Sequence, residues 1–319
     1  MTGVNLISTK PSAPDADGPP QLFDRALLRR RRDRAAGEFE DYDFLHARVA
    51  DDLLDRVESI SRDFDTCLVL GGGGAVGRAL KDRPEAAKKI KTVIETDLSP
   101  QMAGLSDHPS AALDEETLPI AEGSVDLVLS CLSLHWTNDL VGALIQVNYA
   151  LKPDGFFAGA ILGGATLSEL RQSMKSAEAA LEREPAARVS PFADTIDMAG
   201  LVSRAGFTMP VSDVDRVTAR YGNSFVLMRD LRKMGETSVL VDRPRTPGSK
   251  ALFVKTAQAY SEDYAEDDGR VPATFEIIHF AGWAPHPDQP KPKRPGSATH
   301  RLADALGVSE ASAGDKAGG

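Results

Sequence analysis

Phe44, Leu45, Val49, Leu53, Leu54 and Val57 recur every three or four residues, the spacing of an apolar helix stripe that packs on a sheet. Short apolar runs follow at Cys67 to Leu70, Thr92 to Thr96, Val125 to Ser130 and Phe156 to Ile161, and they predict strands. Helical stretches separate them, most clearly Asp139 to Leu151. Strand and helix in turn predict an α/β fold with a doubly wound, mostly parallel sheet covered on both faces. Lys152, Pro153, Asp154 and Gly155 read as a turn into the strand at Phe156. Beyond Gly164 the rhythm changes. Helical patterns occupy Leu167 to Glu184, Ile196 to Ala205, Asn223 to Met234 and Ala251 to Tyr264, and the runs Val211 to Tyr221 and Ala273 to Ala281 predict an antiparallel C-terminal strand pair.

Residues 1–21 are rich in Pro, Ser, Gly and Asp and read as a disordered arm, whereas Pro, Lys, Gly and Ala dominate 285–319, read as a mobile tail. The folded part is then 22–284, with N-terminal helices and C-terminal helical additions. A chain of 319 residues exceeds the domain norm of about 150, so a large core is available. Hydrophobic residues make up 42% and charged residues 26%, ordinary proportions for a soluble globular protein. The best apolar stretch, Phe156 to Ala165, is half of the roughly 20 residues a membrane span needs. Thirty-seven Lys and Arg against 47 Asp and Glu give a net charge of −10, which disfavours nucleic acid. Arg29, Arg30, Arg31, Arg32 and Arg34 are the local exception. The plain reading is a solvated helix face; the functional one is peripheral contact with a membrane surface or charged partner. Cys67 and Cys131 read as buried thiols in a reducing compartment. A cytoplasmic location is therefore expected, peripheral at the inner face of the membrane if the arginines dock.

Leu68 to Gly77 runs from a strand through four glycines into a helix. Bare backbone and free helix N-terminal amides at such a place suit a small polar ligand. Gly72, Gly74 and Gly77 satisfy the dinucleotide pattern, with Glu95 and Asp97 about 20 residues on, which keeps an NAD-binding oxidoreductase open. With its neighbours included, the loop resembles that of the class I S-adenosylmethionine-dependent methyltransferases, a Rossmann-like fold. The resemblance implies S-adenosylmethionine as cofactor, with Gly71, Gly72 and Gly73 under its methionyl end and Asp97 on both ribose hydroxyls. It further implies Asp114 at the adenine amine and Leu98 and Glu115 in the same pocket. Two departures stand out: Val69 where an acid would hold the ammonium, and Ala75 where a third glycine is expected.

Further stretches narrow the likeness: FDR at 23–25, SCLSLHWTNDL at 130–140, LKPDG at 151–155, GGATLSELR at 163–171, SPF at 190–192, DLRKMGE at 230–236, VPATF at 271–275 and PGSAT at 295–299. Together they resemble the respiratory complex I assembly factor 5 family and its bacterial relatives, over residues 22 to 299. What this implies is a protein substrate, the quinone-site subunit of complex I, modified by methylation or by arginine hydroxylation. Hydroxylation of an unactivated carbon usually calls for a metal or redox cofactor, commonly iron on two His and one carboxylate. Only His286 and Asp288 have His-x-Asp spacing, in a proline-rich stretch, and no metal site is assigned. His135 and Trp136 follow the fourth strand at the rim beside the methyl donor and are the catalytic candidates, His135 as a base. Other readings stay open: a non-catalytic assembly chaperone with a degraded cofactor site, and a methyltransferase for a small molecule or a carrier protein.

Overall fold

The structure is a computed structural model describing residues 21–184, 186–190, 198–246, 248–290, 303, 304, 307 and 308. Residues 1–20 of the arm expected at 1–21, most of the expected tail, Pro191, Phe192 and 295–299 lie outside the described residues. Of the described residues, those up to Pro285 form one compact unit and those from His286 belong to a second.

Seven strands build one sheet: β1 (Phe64–Gly71), β2 (Ile90–Asp97), β3 (Ser110–Ala112), β4 (Val125–Cys131), β5 (Leu151–Leu162), β6 (Thr208–Tyr221) and β7 (Val271–Trp283). Their order is β3-β2-β1-β4-β5-β7-β6. The first five pair in parallel, and β7 runs antiparallel between β5 and β6. This is the doubly wound sheet with its antiparallel C-terminal pair. Strands buried on both faces need apolar side chains pointing both ways, which explains the unbroken runs. In β1, Cys67 and Val69 enter one core while Leu68 and Leu70 enter the other.

Helix α2 (Phe44–Ser59) lays Leu45, Val49, Leu53, Leu54 and Val57 on the first core, as its spacing predicts. The same core takes residues of α3 (Ala75–Asp82) and α4 (Pro84–Lys89). The second core takes Ala143, Leu144 and Val147 of α6 (Leu140–Ala150) and Met198 and Val202 of α8 (Met198–Arg204). The remaining helices are α1 (Arg25–Ala35), the short α5 (Pro100–Ala103), α7 (Ser168–Ala180), α9 (Ser224–Lys233) and α10 (Lys250–Tyr264).

Two expectations are corrected. Residues 152–155 form no separate turn: β5 starts at Leu151, opposite Val125, and the extra residues are absorbed as a register shift before Phe156 pairs with Leu127. Asp154 takes φ 62° there, a region Asp enters more readily than most residues, and its carboxylate accepts from Arg62 at 3.0 Å. The basic run is no uniformly solvated face, because Arg32 is 3% exposed. Among the described residues no helix is long and apolar enough to cross a membrane.

Candidate active site

The chain leaves β1 for one side of the sheet and later returns to β4 on the other, so the topological switch point, the crevice of open α/β sheets, lies at the C-terminal ends of β1, β2 and β4. Ligands of open α/β sheets bind at such a switch point. Gly71, Gly72, Gly73 and Gly74 line it with φ of 71°, 89°, 54° and 79°, values that L side chains rarely adopt. The protein's own groups approach each of them. A Cβ on Gly71 would stand 2.5 Å from Ser133, one on Gly72 3.0 Å from Cys131, and one on Gly73 2.6 Å from the ring of Phe39. Val69 is fully buried in β1, so no carboxylate of that strand reaches the crevice, and Ala75 opens α3.

Asp97 ends β2, and both its oxygens are engaged. Arg32 of α1 donates through Nε to Oδ1 at 3.0 Å and through Nη2 to Oδ2 at 2.6 Å, and the Ser99 amide adds a bond to Oδ1 at 2.9 Å. Burial opposes the guanidinium's charge, yet Asp97 and Glu236 outweigh it, and the Arg32 pKa is raised. Asp114 and Glu115, just past β3, meet a second arginine of α1: Arg25 Nη2 donates to Asp114 Oδ1 at 2.6 Å and to Glu115 Oε2. Burial lifts the Glu115 carboxyl above its ordinary range despite that partner. Leu98 packs with Phe23, Leu28 and Trp136 in a small apolar cluster under α1. The sequence-predicted acids thus converge on the crevice, each met by an arginine of one helix.

His135 and Trp136 lie in a short 3-10 turn after β4, and both are buried. Trp136 donates Nε1 to Glu236 Oε2 at 3.1 Å, and His135 Nε2 lies 3.2 Å from the same oxygen. Arg32 Nη1 stands 3.5 Å and His46 Nε2 3.8 Å from Glu236 Oε1. Burial would raise the Glu236 carboxyl, but His135, His46 and Arg32 hold it below its ordinary range. An ionised carboxylate therefore sits at the centre of two imidazoles, an indole and a guanidinium. Phe39 closes the group, its ring 4.9 Å from that of His46. Sequence reasoning missed Glu236, His46, Phe39 and the roles of Arg25 and Arg32, because partners 65 to 204 residues apart leave no local spacing. The one signal was Glu236 within the DLRKMGE stretch.

The buried His46 imidazole is pushed down to about 4 by burial. Its folded pKa lies below the ordinary 6.5 or so, so the unfolded chain binds the proton more readily. The stability it contributes is complete above about pH 6.5 and is lost as pH falls toward 4, about 2 kcal/mol being gone by pH 5. Urea unfolding at pH 7.5 and pH 5 should show that loss, and His46→Phe should flatten it. Equal stability of the wild type at both values would contradict the assignment.

Among the described residues no group of three or more His, Cys, Asp or Glu is gathered to hold a metal ion. His286 instead accepts from the Asp288 amide within its own turn, at 3.2 Å. Cys67 and Cys131 are free and buried, and burial raises both thiols. Glu95, the other acid of the dinucleotide reading, accepts from the Gly77 amide at 3.0 Å and from Ser106, which turns it under the loop.

Residues 69–159 match the Methyltransferase domain family. The arginine-hydroxylase NDUFAF5, mitochondrial, of Danio rerio is 39% identical over 292 residues, covering 89% of each chain. A malonyl-[acyl-carrier protein] O-methyltransferase of Methylovorus sp. is 31% identical, covering 83% of this chain and 90% of its own. Among solved structures, the YcgJ protein of Bacillus subtilis superposes with a TM-score of 0.50 at 12% identity, covering 75% of this chain and 99% of that one. Sheet order, crevice and an identity that runs nearly end to end agree, and the chain belongs to the arginine-hydroxylase NDUFAF5 family of methyltransferase-fold proteins.

Proposed function

We propose that this protein binds S-adenosylmethionine at the β1–β2 crevice and modifies an arginyl side chain of a protein substrate, the quinone-site subunit, during assembly of respiratory complex I. The observation that carries the reading is that Asp97 at the end of β2 and Asp114 and Glu115 just past β3 lie at the same C-terminal edge of the sheet as the four-glycine loop after β1. By kind and position these residues suit the cofactor's sugar and base: a carboxylate accepts both ribose hydroxyls through charged oxygens. They offer those acceptors only once Arg32 and Arg25 have left them. Nothing from β1 compensates the ammonium, since Val69 lies in the core.

When bound, the cofactor supplies a methyl group already activated on a sulfonium. The chain's own residues do the rest by position. Glu236 fixes the His135 ring through Nε2, where a proton can be held or passed on, and it orients Trp136 through the indole N–H. Glu236 Oε1, 3.5 Å from Arg32 Nη1, is a buried acceptor for a guanidinium that stays available when Asp97 holds the sugar. That acceptor supports an arginyl substrate. Sequence identity to a carrier-protein O-methyltransferase supports a second reading, methyl transfer to a malonylated carrier.

Intact-mass analysis of the quinone-site subunit from cells with and without this gene tests the proposal. One oxygen added in its presence supports hydroxylation, and one methylene supports methyl transfer. An unchanged mass leaves a scaffolding role. Measured against Arg32→Gln alone, so that no guanidinium competes, adding Asp97→Asn should weaken S-adenosylmethionine binding by about tenfold or more, the loss of a charged acceptor. An unchanged dissociation constant between those two variants would reject Asp97 as the sugar's partner.

The outer face of α1 supports peripheral docking. Arg29, Arg30 and Arg34 are exposed and carry no ion pair among the described residues. At about 1 kcal/mol per arginine near an anionic surface, changing all three to Gln should cut co-sedimentation with acidic vesicles at low salt by about two decades. The melting temperature should stay put. Equal sedimentation returns these arginines to a solvated face.

A further inference from the structure

Four contacts close the crevice, and a single segment, residues 25 to 39, makes all of them. Arg32 forks onto Asp97, Arg25 holds Asp114 and Glu115, Asp33 accepts from the Ser99 hydroxyl at 2.6 Å, and Phe39 lies against Gly73. Beyond those contacts and the polar bonds of Arg31 to Thr237 and Ser238, of Arg32 to Glu236 and of Glu38 to Lys233, the segment meets the body through two small apolar clusters, one with Phe23, Leu28, Leu98, Trp136, Val239 and Leu240, the other with Ala35, Ala36, Phe39 and Met102. Neither cluster is part of the two cores that hold the sheet and its helices together. The segment is therefore a separable layer, and its polar contacts coincide with the acids of the cofactor site.

We infer that α1 and the turn after it are an internal plug, with Arg32 and Arg25 as internal ligands that exclude the cofactor's sugar and base. This rests on the proposed reading that S-adenosylmethionine binds here. A guanidinium fork and a vicinal diol make the same demand on Asp97, both oxygens along one edge of the carboxylate. Asp97 is 2% exposed, so no second edge is offered to solvent. Phe39 repeats the exclusion at the loop, its ring standing where a ligand along the Gly73 backbone would lie. Arg25 repeats it at the base end. Cofactor and plug thus compete, and the apparent affinity falls by the fraction of molecules in which α1 is withdrawn.

Calorimetric titration with S-adenosylmethionine of the full-length wild type and of Arg32→Gln tests the plug, with Arg32→Lys in reserve should the first variant fail to fold. The lysine keeps the charge and loses the fork. The plug predicts binding tighter by about tenfold or more in the variant. Binding of equal strength in both proteins removes the plug and leaves the cofactor reading. Weaker binding in the variant also overturns it, by making Arg32 part of the cofactor site. Absence of binding in both ends plug and cofactor reading together. Amide exchange in the wild type gives a readout without substitution: exchange over residues 25–35 should speed up under saturating S-adenosylmethionine, and a slowdown, α1 closing over the ligand, would overturn the plug.

Discussion

Arg32→Ala should lower folding stability by about 3–5 kcal/mol, measured by urea unfolding at pH 7, because it leaves the Asp97 carboxylate buried without its counter-charge. Both partners are 2–3% exposed and joined by two hydrogen bonds, so solvent cannot take over. Arg29→Ala, on the exposed side of the same helix, should stay within about 0.5 kcal/mol of the wild type. The double replacement Arg32→Met with Asp97→Leu separates charge from packing. Removing both charges together should recover most of the loss, since the pair's desolvation is removed with it. A loss below about 1 kcal/mol for Arg32→Ala would mean that the contact does not persist in solution.

Glu236→Ala should cost about 3 kcal/mol, because the donors on Trp136 and His135 both lose their shared buried acceptor. Arg32 keeps Asp97 in that variant, so its charge is not stranded. Glu236→Gln retains the shape and one acceptor oxygen and should cost about half as much. The near-ultraviolet circular dichroism of Trp136 should change in the alanine variant and hardly in the glutamine one. Identical stability of the two variants would show that the charge at Glu236, rather than its geometry, is what matters.

The sheet was legible because burial on both faces forces apolar runs, as at Cys67–Leu70, where every residue is apolar and buried. Strand β3 left no such trace, since Ser110, Ala111 and Ala112 are all exposed. The acids were legible from chain order, Asp97 closing β2 and Asp114 following β3. Their partners were obscured by composition. A run of five arginines reads as one charged surface, yet a helix turns 100° per residue and sorts them onto different faces. Arg25, Leu28, Arg32 and Ala35 fall at intervals of three and four and point inward, while Arg29, Arg30 and Arg34 point out. That spacing was in the sequence and would have divided the run. Phe39 and His46 were not recoverable in this way, because only the tertiary fold brings Phe39 against Gly73 and His46 beside Glu236.

The most direct measurement is a crystal structure of the full chain grown with saturating S-adenosylmethionine. The account predicts the nucleoside along Gly71 to Gly73, its two sugar hydroxyls on Asp97 and its base beside Asp114, with the Arg32 guanidinium displaced. Arg32 still forked onto Asp97 and Phe39 still against Gly73, with ligand absent or lodged elsewhere, would contradict it.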